Sequence, residues 1–178
     1  MPLTTREFAV PSALHEALGK RQTTGAIAAI IAAVMAFLLL WGPELLSASS
    51  WRHWMAALLA IDIVAGAVAN FTRGTNDFYM QRPLHRWGFI AIHVHILLIG
   101  WLLGWDIAPV FWVWFGTILG ASIVNLTGNK PVIGGLFLAI GLMALPILGL
   151  GGLEFCLSAA FFLKVTYSFA VNHYATKA

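Results

Sequence analysis

The chain has 178 residues, of which 60% are apolar and 10% are charged, and its formal net charge is +3. Soluble domains carry about a quarter charged residues, so most of this surface is expected to meet lipid. The composition excludes a disulfide scaffold, because Cys156 is the only cysteine, and it excludes a disordered or collagen-like chain. It also argues against a nucleic-acid-binding domain and predicts a multi-span membrane protein.

Residues 1–22 form a polar segment of mixed composition, which we separate from the apolar domain of residues 23–178. A helix start is followed by small and apolar residues on one helical face, and a glycine then ends the pattern. The segment therefore predicts a short helix lying at the membrane interface. Its markers are Pro11, Ser12, Leu14, Ala17, Leu18 and Gly19.

Six apolar stretches follow, each of which approaches the roughly 20 residues that a helix needs to cross a bilayer. They cover about 24–42, 51–72, 86–104, 107–126, 131–150 and 153–173. The predicted fold class is therefore all-α, a polytopic bundle of six transmembrane helices joined by short connections. Any chemistry is expected within the membrane or at its surface.

The basic residues predict the orientation of this bundle. With a cytoplasmic N-terminus, eight of the ten lysines and arginines lie on the cytoplasmic side, whereas Arg52 lies outside and Lys164 lies within a span. The positive-inside rule then predicts that both termini are cytoplasmic, and we expect a prokaryotic inner membrane. The eight residues are Arg6, Lys20, Arg21, Arg73, Arg82, Arg86, Lys130 and Lys177.

Three spans end in asparagine at the same predicted side, at Asn70, Asn125 and Asn172. One interpretation is a set of parallel helical-hairpin repeats, whose asparagines would line one vestibule. The other is that asparagine is an ordinary residue at a helix end. The sequence leaves both interpretations open.

Four ionisable residues lie near the middle of predicted spans, namely Asp62, His93, His95 and Lys164. Each costs on the order of 3 kcal/mol at that depth, so these four are the predicted catalytic or proton-carrying residues. The two histidines are about 200° apart on a regular helix, so one of them should face a given cavity, and we favour His93. A salt bridge between Asp62 and Lys164 that only holds the bundle together is the alternative.

A polar cavity open to the cytoplasm is the functional interpretation of the stripes that run from these residues toward that side. The stretch from Thr72 to Arg86 is predicted to be a loop, either a gate with an anion or headgroup contact or simply the basic loop that topology requires. The candidate substrate-binding residues are Asn70, Arg73, Asn76, Asp77, Tyr79, Arg82, His85, Arg86, Asn125, Tyr167 and Asn172.

The sequence has no phosphate-binding glycine loop, no Cys-x-x-Cys, no His-Glu-x-x-His and no Gly-x-Ser-x-Gly. His93 and His95 are poorly spaced to chelate one metal ion, because positions i and i+2 of a helix point to opposite sides. We therefore expect no cofactor and no metal site.

These patterns favour a small transporter or channel for a small solute or ion, with protons coupled through the Asp/His/Lys cluster. An intramembrane enzyme acting on a lipid-soluble substrate is the first alternative, and a structural subunit of a membrane complex is the second. The expected partners are the lipid bilayer and the transported or converted molecule, with no nucleic acid, and a homo-oligomer stays open.

Overall fold

The computed structural model describes residues 6–175, which form an all-α fold with one small two-stranded sheet near the start. Within this range, four helices are long and apolar enough to cross a membrane. This finding indicates a membrane protein. The four are Thr24–Leu45, Trp51–Ala69, the broken helix Pro83–Leu103 and Ile107–Leu126.

The elements follow one another with short connections. The N-terminal part contains β1 (Glu7–Ala9), a 3₁₀ turn (Ser12–Leu14), α1 (His15–Leu18) and β2 (Arg21–Thr23). The helices that follow are α2 (Thr24–Leu45), α3 (Trp51–Ala69), α4 (Arg73–Met80), α5 (Pro83–Ile92), α6 (His95–Leu103), α7 (Ile107–Leu126), α8 (Pro131–Ile147) and α9 (Gly152–Phe162), and α9 continues as a π-helix (Leu163–Phe169).

The N-terminal segment is a hairpin that contains the predicted short helix. β1 and β2 pair antiparallel with Glu7 opposite Thr23, and α1 lies between them and ends at Gly19. The sequence predicts the helix and its end but misses both strands, because three residues are too few to show an alternating pattern. Residues 1–5 of the predicted segment lie outside the described residues.

The number of predicted crossings is confirmed in part. Four helices meet the length and hydropathy of a span, whereas α8 has 17 residues, and α9 reaches its full length only by passing into the π-helix. Six crossings therefore stay a prediction.

The predicted loop from Thr72 to Arg86 is wrong, because most of it is helical. The Thr72 hydroxyl accepts a hydrogen bond from the Thr75 amide and so caps α4, and Pro83 opens α5 at the first helical position. Polar residues such as Asn76 and Asp77 disfavour helix by propensity, but the cap and the packing of α4 outweigh that preference.

Helix α3 lies in the centre of the bundle and packs against α2, α6, α9 and the π-helix. Its buried face carries Ala56, Ala57 and Ala60, whose small side chains let neighbouring helices approach closely. Both ends of the described chain lie at the same end of this bundle. Gln22 Nε2 donates to Thr72 Oγ1 at 2.6 Å, and Asn76 Nδ2 donates to the Val171 carbonyl at 2.8 Å.

Candidate functional site

An ion pair joins α3 to the C-terminal helix inside the bundle. Lys164 Nζ donates to Asp62 Oδ2 at 2.6 Å across 102 positions of sequence. The Lys164 side chain is 3% exposed, whereas the Asp62 side chain is 52% exposed. The salt bridge that the sequence offers as one interpretation is therefore present, with the lysine buried and the carboxylate at the surface of the bundle.

The lysine reaches the carboxylate across Gly66, one helical turn beyond Asp62 on α3. A Cβ atom at position 66 would lie 2.5 Å from Lys164 Cε and 3.0 Å from Nζ. Because Gly66 has no side chain, the aliphatic part of Lys164 has room to pass over α3 at this position.

Both histidines join this pair. His95 Nδ1 lies 3.5 Å from Asp62 Oδ2, and the rings of His93 and His95 meet edge to face at 5.1 Å between centroids. The sequence predicts that only one of the two histidines faces a given cavity, because it assumes a continuous helix, whereas both lie in one region here. The backbone leaves helical geometry at His93, with φ −78° and ψ 75°, so the two side chains turn toward one region.

The interruption between α5 and α6 has its own stabilising contacts. The His93 carbonyl accepts a hydrogen bond from Trp114 Nε1 on α7 at 3.1 Å. His93 Nδ1 donates to the Phe89 carbonyl one turn earlier, which fixes the neutral tautomer with a lone pair on Nε2. That Nε2 atom is buried and has no hydrogen-bond partner within residues 6–175. His93 thus presents an unpartnered nitrogen lone pair beside the ring of His95.

Lys164 itself lies in the π-helical part of the last helix. Its carbonyl accepts hydrogen bonds from Ser168 Oγ at 2.9 Å and from Asn70 Nδ2 at 3.3 Å. Single π-helical turns are rare and occur often at functional sites. The wider turn departs from the regular helical spacing on which the predicted stripe through Lys164 depends.

The exposed side of the ion pair opens sideways from the bundle, between α3 and α6. Leu58 lies one turn before Asp62 and Leu98 lies one turn after His95, and both are exposed. At the far end of this helix pair, Arg52 lies over the Trp101 ring at 4.9 Å. Asp62 is therefore reached from the lateral surface, among apolar side chains.

Several predicted substrate-binding residues form hydrogen bonds at the end of the last helix. Arg86 is 3% exposed, and its Nη2 donates to the Ala170 carbonyl at 2.9 Å while its Nε donates to Asn125 Oδ1 at 2.8 Å. Asn129 Nδ2 donates to the same carbonyl at 2.8 Å. A cation at the C-terminal end of a helix compensates its unpaired carbonyls, so this network has a structural explanation.

Asn76 and Asn172 belong to the same junction. Asn76 Nδ2 donates to the Val171 carbonyl, and its Oδ1 accepts from the His173 amide at 3.3 Å. Asn172 donates its backbone amide to the Asn129 carbonyl at 2.9 Å. The three asparagines of the possible repeat, Asn70, Asn125 and Asn172, thus each form a hydrogen bond with another helix or turn of the bundle.

Aromatic residues and His173 pack together at this end of the bundle. Tyr167 packs against the rings of Phe71 and His173. Burial lowers the pKa of His173, whose Nε2 lies 3.1 Å from the Ser168 carbonyl. The imidazole is therefore favoured in its neutral form.

Glu16 of α1 connects the hairpin to the helices. Tyr79 donates from its hydroxyl to Glu16 Oε2 at 3.0 Å, and His85 Nδ1 lies 3.2 Å from Glu16 Oε1. Burial raises the pKa of Tyr79, and the contacts with Glu16 raise it further. Both predicted site residues therefore contribute to holding the hairpin against α4 and α5.

The remaining predicted residues lie in a surface groove away from the ion pair. Arg73 Nε and Asp77 Oδ2 are 3.4 Å apart and exposed, and Arg82 donates to the Phe78 carbonyl at 2.7 Å. Arg73 does not continue the helical face that carries Asp62, because α3 ends at Ala69 and Arg73 begins the separate helix α4.

Residues 6–175 place no group of three or more His, Cys, Asp or Glu side chains suitably for a metal ion. Sequence reasoning missed Trp114, which donates a hydrogen bond to the interrupted helix, and Glu16, which connects the hairpin to Tyr79 and His85. Neither residue has a local signal, since each acts on a partner that is distant in sequence.

Comparison of the chain with protein-family models, with curated proteins and with solved structures gives no match. The fold and site define an all-α membrane protein with an Asp–Lys ion pair and two histidines beside an interrupted helix.

Proposed function

We propose that the chain transports a small solute or ion and couples this transport to protons at Asp62, His95 and Lys164. The observation that carries the proposal is the interrupted helix at His93 and Val94, which lies directly beside the ion pair. Broken helices next to ion-binding side chains are typical of secondary transporters, because the two half-helices can change their relative angle.

The coupling step follows from the charges of the pair. When Asp62 takes up a proton, it loses its attraction for Lys164, and the buried ammonium must find another acceptor or give up its own proton. His95 Nδ1 is such an acceptor for a proton, because it lies 3.5 Å from Asp62 Oδ2 and makes no hydrogen bond within residues 6–175. Protonation thus changes which groups attract one another across α3, α6 and the π-helix.

The proposed topology has six crossings, both termini on the cytoplasmic side and an inner-membrane location in a prokaryote. It is supported by the basic residues near one end and by contacts that place the hairpin, α4 and the end of the last helix together. An even number of crossings brings both ends of the chain to one side.

A second candidate is an intramembrane enzyme that acts on a lipid-soluble substrate. It is favoured by the 52% exposure of the Asp62 side chain on the lateral surface, beside exposed Leu58 and Leu98. A substrate dissolved in the bilayer would meet this carboxylate directly. Asp62 and His95 would then act as acid and base, and Lys164 would stabilise developing negative charge.

Proteoliposomes that contain a pH-sensitive dye test the transport proposal. Gradients of monovalent cations, carboxylates, amino acids and sugars are imposed in turn, and proton movement is recorded. We expect one class to drive proton movement in the unchanged chain and in Glu44→Gln, an exposed carboxylate far from the pair in sequence, and we expect Asp62→Asn to abolish it.

Absence of proton movement with every gradient would contradict transport. Unchanged movement in Asp62→Asn would contradict the role of the pair. Conversion of added membrane lipids, lost in Asp62→Asn but kept in Glu44→Gln, would instead support the enzyme.

A further inference from the structure

A groove of about 890 Å³ opens where the hairpin meets the helices, separate from the ion pair. Its walls come from β2, the first turns of α2, the end of α3 and α4. They carry two acidic residues and four basic residues, so the groove has an excess of positive charge. The basic residues are Lys20, Arg21, Arg73 and Arg82.

The positive charge is concentrated on two of these side chains. Arg21 pairs with Glu7 at 2.8 Å, and Arg73 lies 3.4 Å from Asp77. Within residues 6–175, Lys20 and Arg82 form no ion pair with a carboxylate. These two residues therefore give the groove its attraction for an anion.

One side of the groove is apolar. Ala26 and Ala29 line it from α2, and Val68 lines it from the end of α3. Both helices are among those long and apolar enough to span the membrane. The groove therefore joins a basic rim to a surface that can contact an acyl chain.

The hairpin that forms the rim is closely packed on α4. A Cβ atom at Gly19 would lie 2.0 Å from the Gly74 carbonyl oxygen, and one at Gly74 would lie 1.9 Å from the Arg21 carbonyl oxygen. Gln22 is buried and donates to Thr72 and to the Leu18 carbonyl. The basic side chains are thus held around a pre-formed groove, which lowers the cost of binding.

We propose that this groove binds one anionic phospholipid, with its phosphate among the basic side chains and an acyl chain along α2 and α3. A phosphate group suits lysine and arginine donors. The apolar wall favours a ligand with an acyl chain over a fully water-soluble anion. The proposal goes beyond transport and does not depend on it, since the groove shares no residue with the ion pair.

Native mass spectrometry of the protein tests this binding. The protein is released from vesicles with equal amounts of phosphatidylglycerol and phosphatidylcholine, and the retained lipid is identified. We expect one phosphatidylglycerol per chain, in about tenfold preference to phosphatidylcholine. The double variant Lys20→Gln/Arg82→Gln should lose this preference.

The matched control is Arg52→Gln/Lys130→Gln, which removes the same charge outside the groove. It should keep the preference, and circular dichroism should show that both variants retain the helical content of the unchanged chain. Equal loss in the two variants would overturn the proposal, as would equal retention of both lipids or of neither.

Displacement of the lipid by millimolar inorganic phosphate or glycerol phosphate would also overturn it, because the ligand would then be the free anion. If the groove variant misfolds, Lys20→Gln alone, on an exposed side chain, must reduce the preference.

Discussion

Lys164 is the buried partner of the ion pair, with 3% of its side chain exposed against 52% for Asp62. Removing the carboxylate leaves a buried ammonium without its acceptor, whereas removing the lysine leaves Asp62 with His95 at 3.5 Å. The two losses are therefore not equivalent. The loss of stability should therefore be larger when the carboxylate is removed than when the lysine is removed.

We expect Asp62→Asn to lower the free energy of unfolding by about 3 kcal/mol and Lys164→Met to lower it less. The double variant should lose less than the sum of the two, because neither partner is then left unpaired. Thermal unfolding in detergent measures all three. Additive losses would mean that the two side chains do not interact. A double variant that is stable and active would show that the pair only holds the bundle together.

Gly66 controls whether the pair can form. In Gly66→Ala the new Cβ would overlap Lys164 Cε, and the flexible end of the lysine would have to move away from Asp62. We expect reduced thermal stability and a much smaller further effect of Lys164→Met in this background. Gly88→Ala is the control, because a Cβ there meets nothing within 4 Å, and it should change stability by less than about 1 kcal/mol. Full additivity of Gly66→Ala with Lys164→Met would contradict this role.

At the scale of elements, the interruption between α5 and α6 distinguishes this bundle from one of continuous helices. The sequence of residues 86–104 predicts one span, because its hydropathy is continuous. No proline or glycine lies next to His93 to indicate a break. The break depends on contacts from outside the helix, above all the hydrogen bond from Trp114 to the His93 carbonyl. Local propensity does not contain this information.

Trp114→Phe should therefore loosen the interruption. We expect it to lower the free energy of unfolding by about 1 kcal/mol more than Trp112→Phe does, because only Trp114 donates to the broken helix. Trp112 on the same helix is exposed and provides the matched change of ring. Thermal unfolding in detergent measures both, and hydrogen exchange at residues 90–95 should increase only in Trp114→Phe. Equal effects of the two variants would mean that the hydrogen bond does not stabilise the break.

For the whole molecule, the orientation is the property on which the functional proposal most depends. The hairpin, α4 and the end of the last helix share one end of the bundle, and Arg73 and Arg82 also lie there. The positive-inside rule predicts that this end lies in the cytoplasm.

Single cysteines introduced at two exposed positions test this orientation. In a Cys156→Ala background, we expect Ser49→Cys to react with an impermeant thiol reagent on intact cells and Gln81→Cys to react only after the membrane is opened. Labelling of Gln81→Cys in intact cells would place the groove and both described ends of the chain outside. The control is reaction of both cysteines in detergent, which shows that each is accessible.

Composition and hydropathy by themselves predict much of this molecule: an apolar all-α bundle, the approximate ranges of the four candidate spans, and ionisable residues within them. These properties depend on the residue types alone, because lipid contact requires apolar side chains and helices that satisfy their own hydrogen bonds. The pairing of Asp62 with Lys164 was also predictable, since two lone opposite charges at one depth stabilise each other.

Only the tertiary structure decided how the other polar residues are used. Asn76, Arg86 and Asn125 satisfy one another or the carbonyls at the end of the last helix, and their sequence positions resemble those of residues facing a cavity. The structure also placed His95 next to Asp62 by interrupting a helix that the sequence predicts as continuous. In each case the partner is distant along the chain, so the contact depends on packing, which no local pattern encodes.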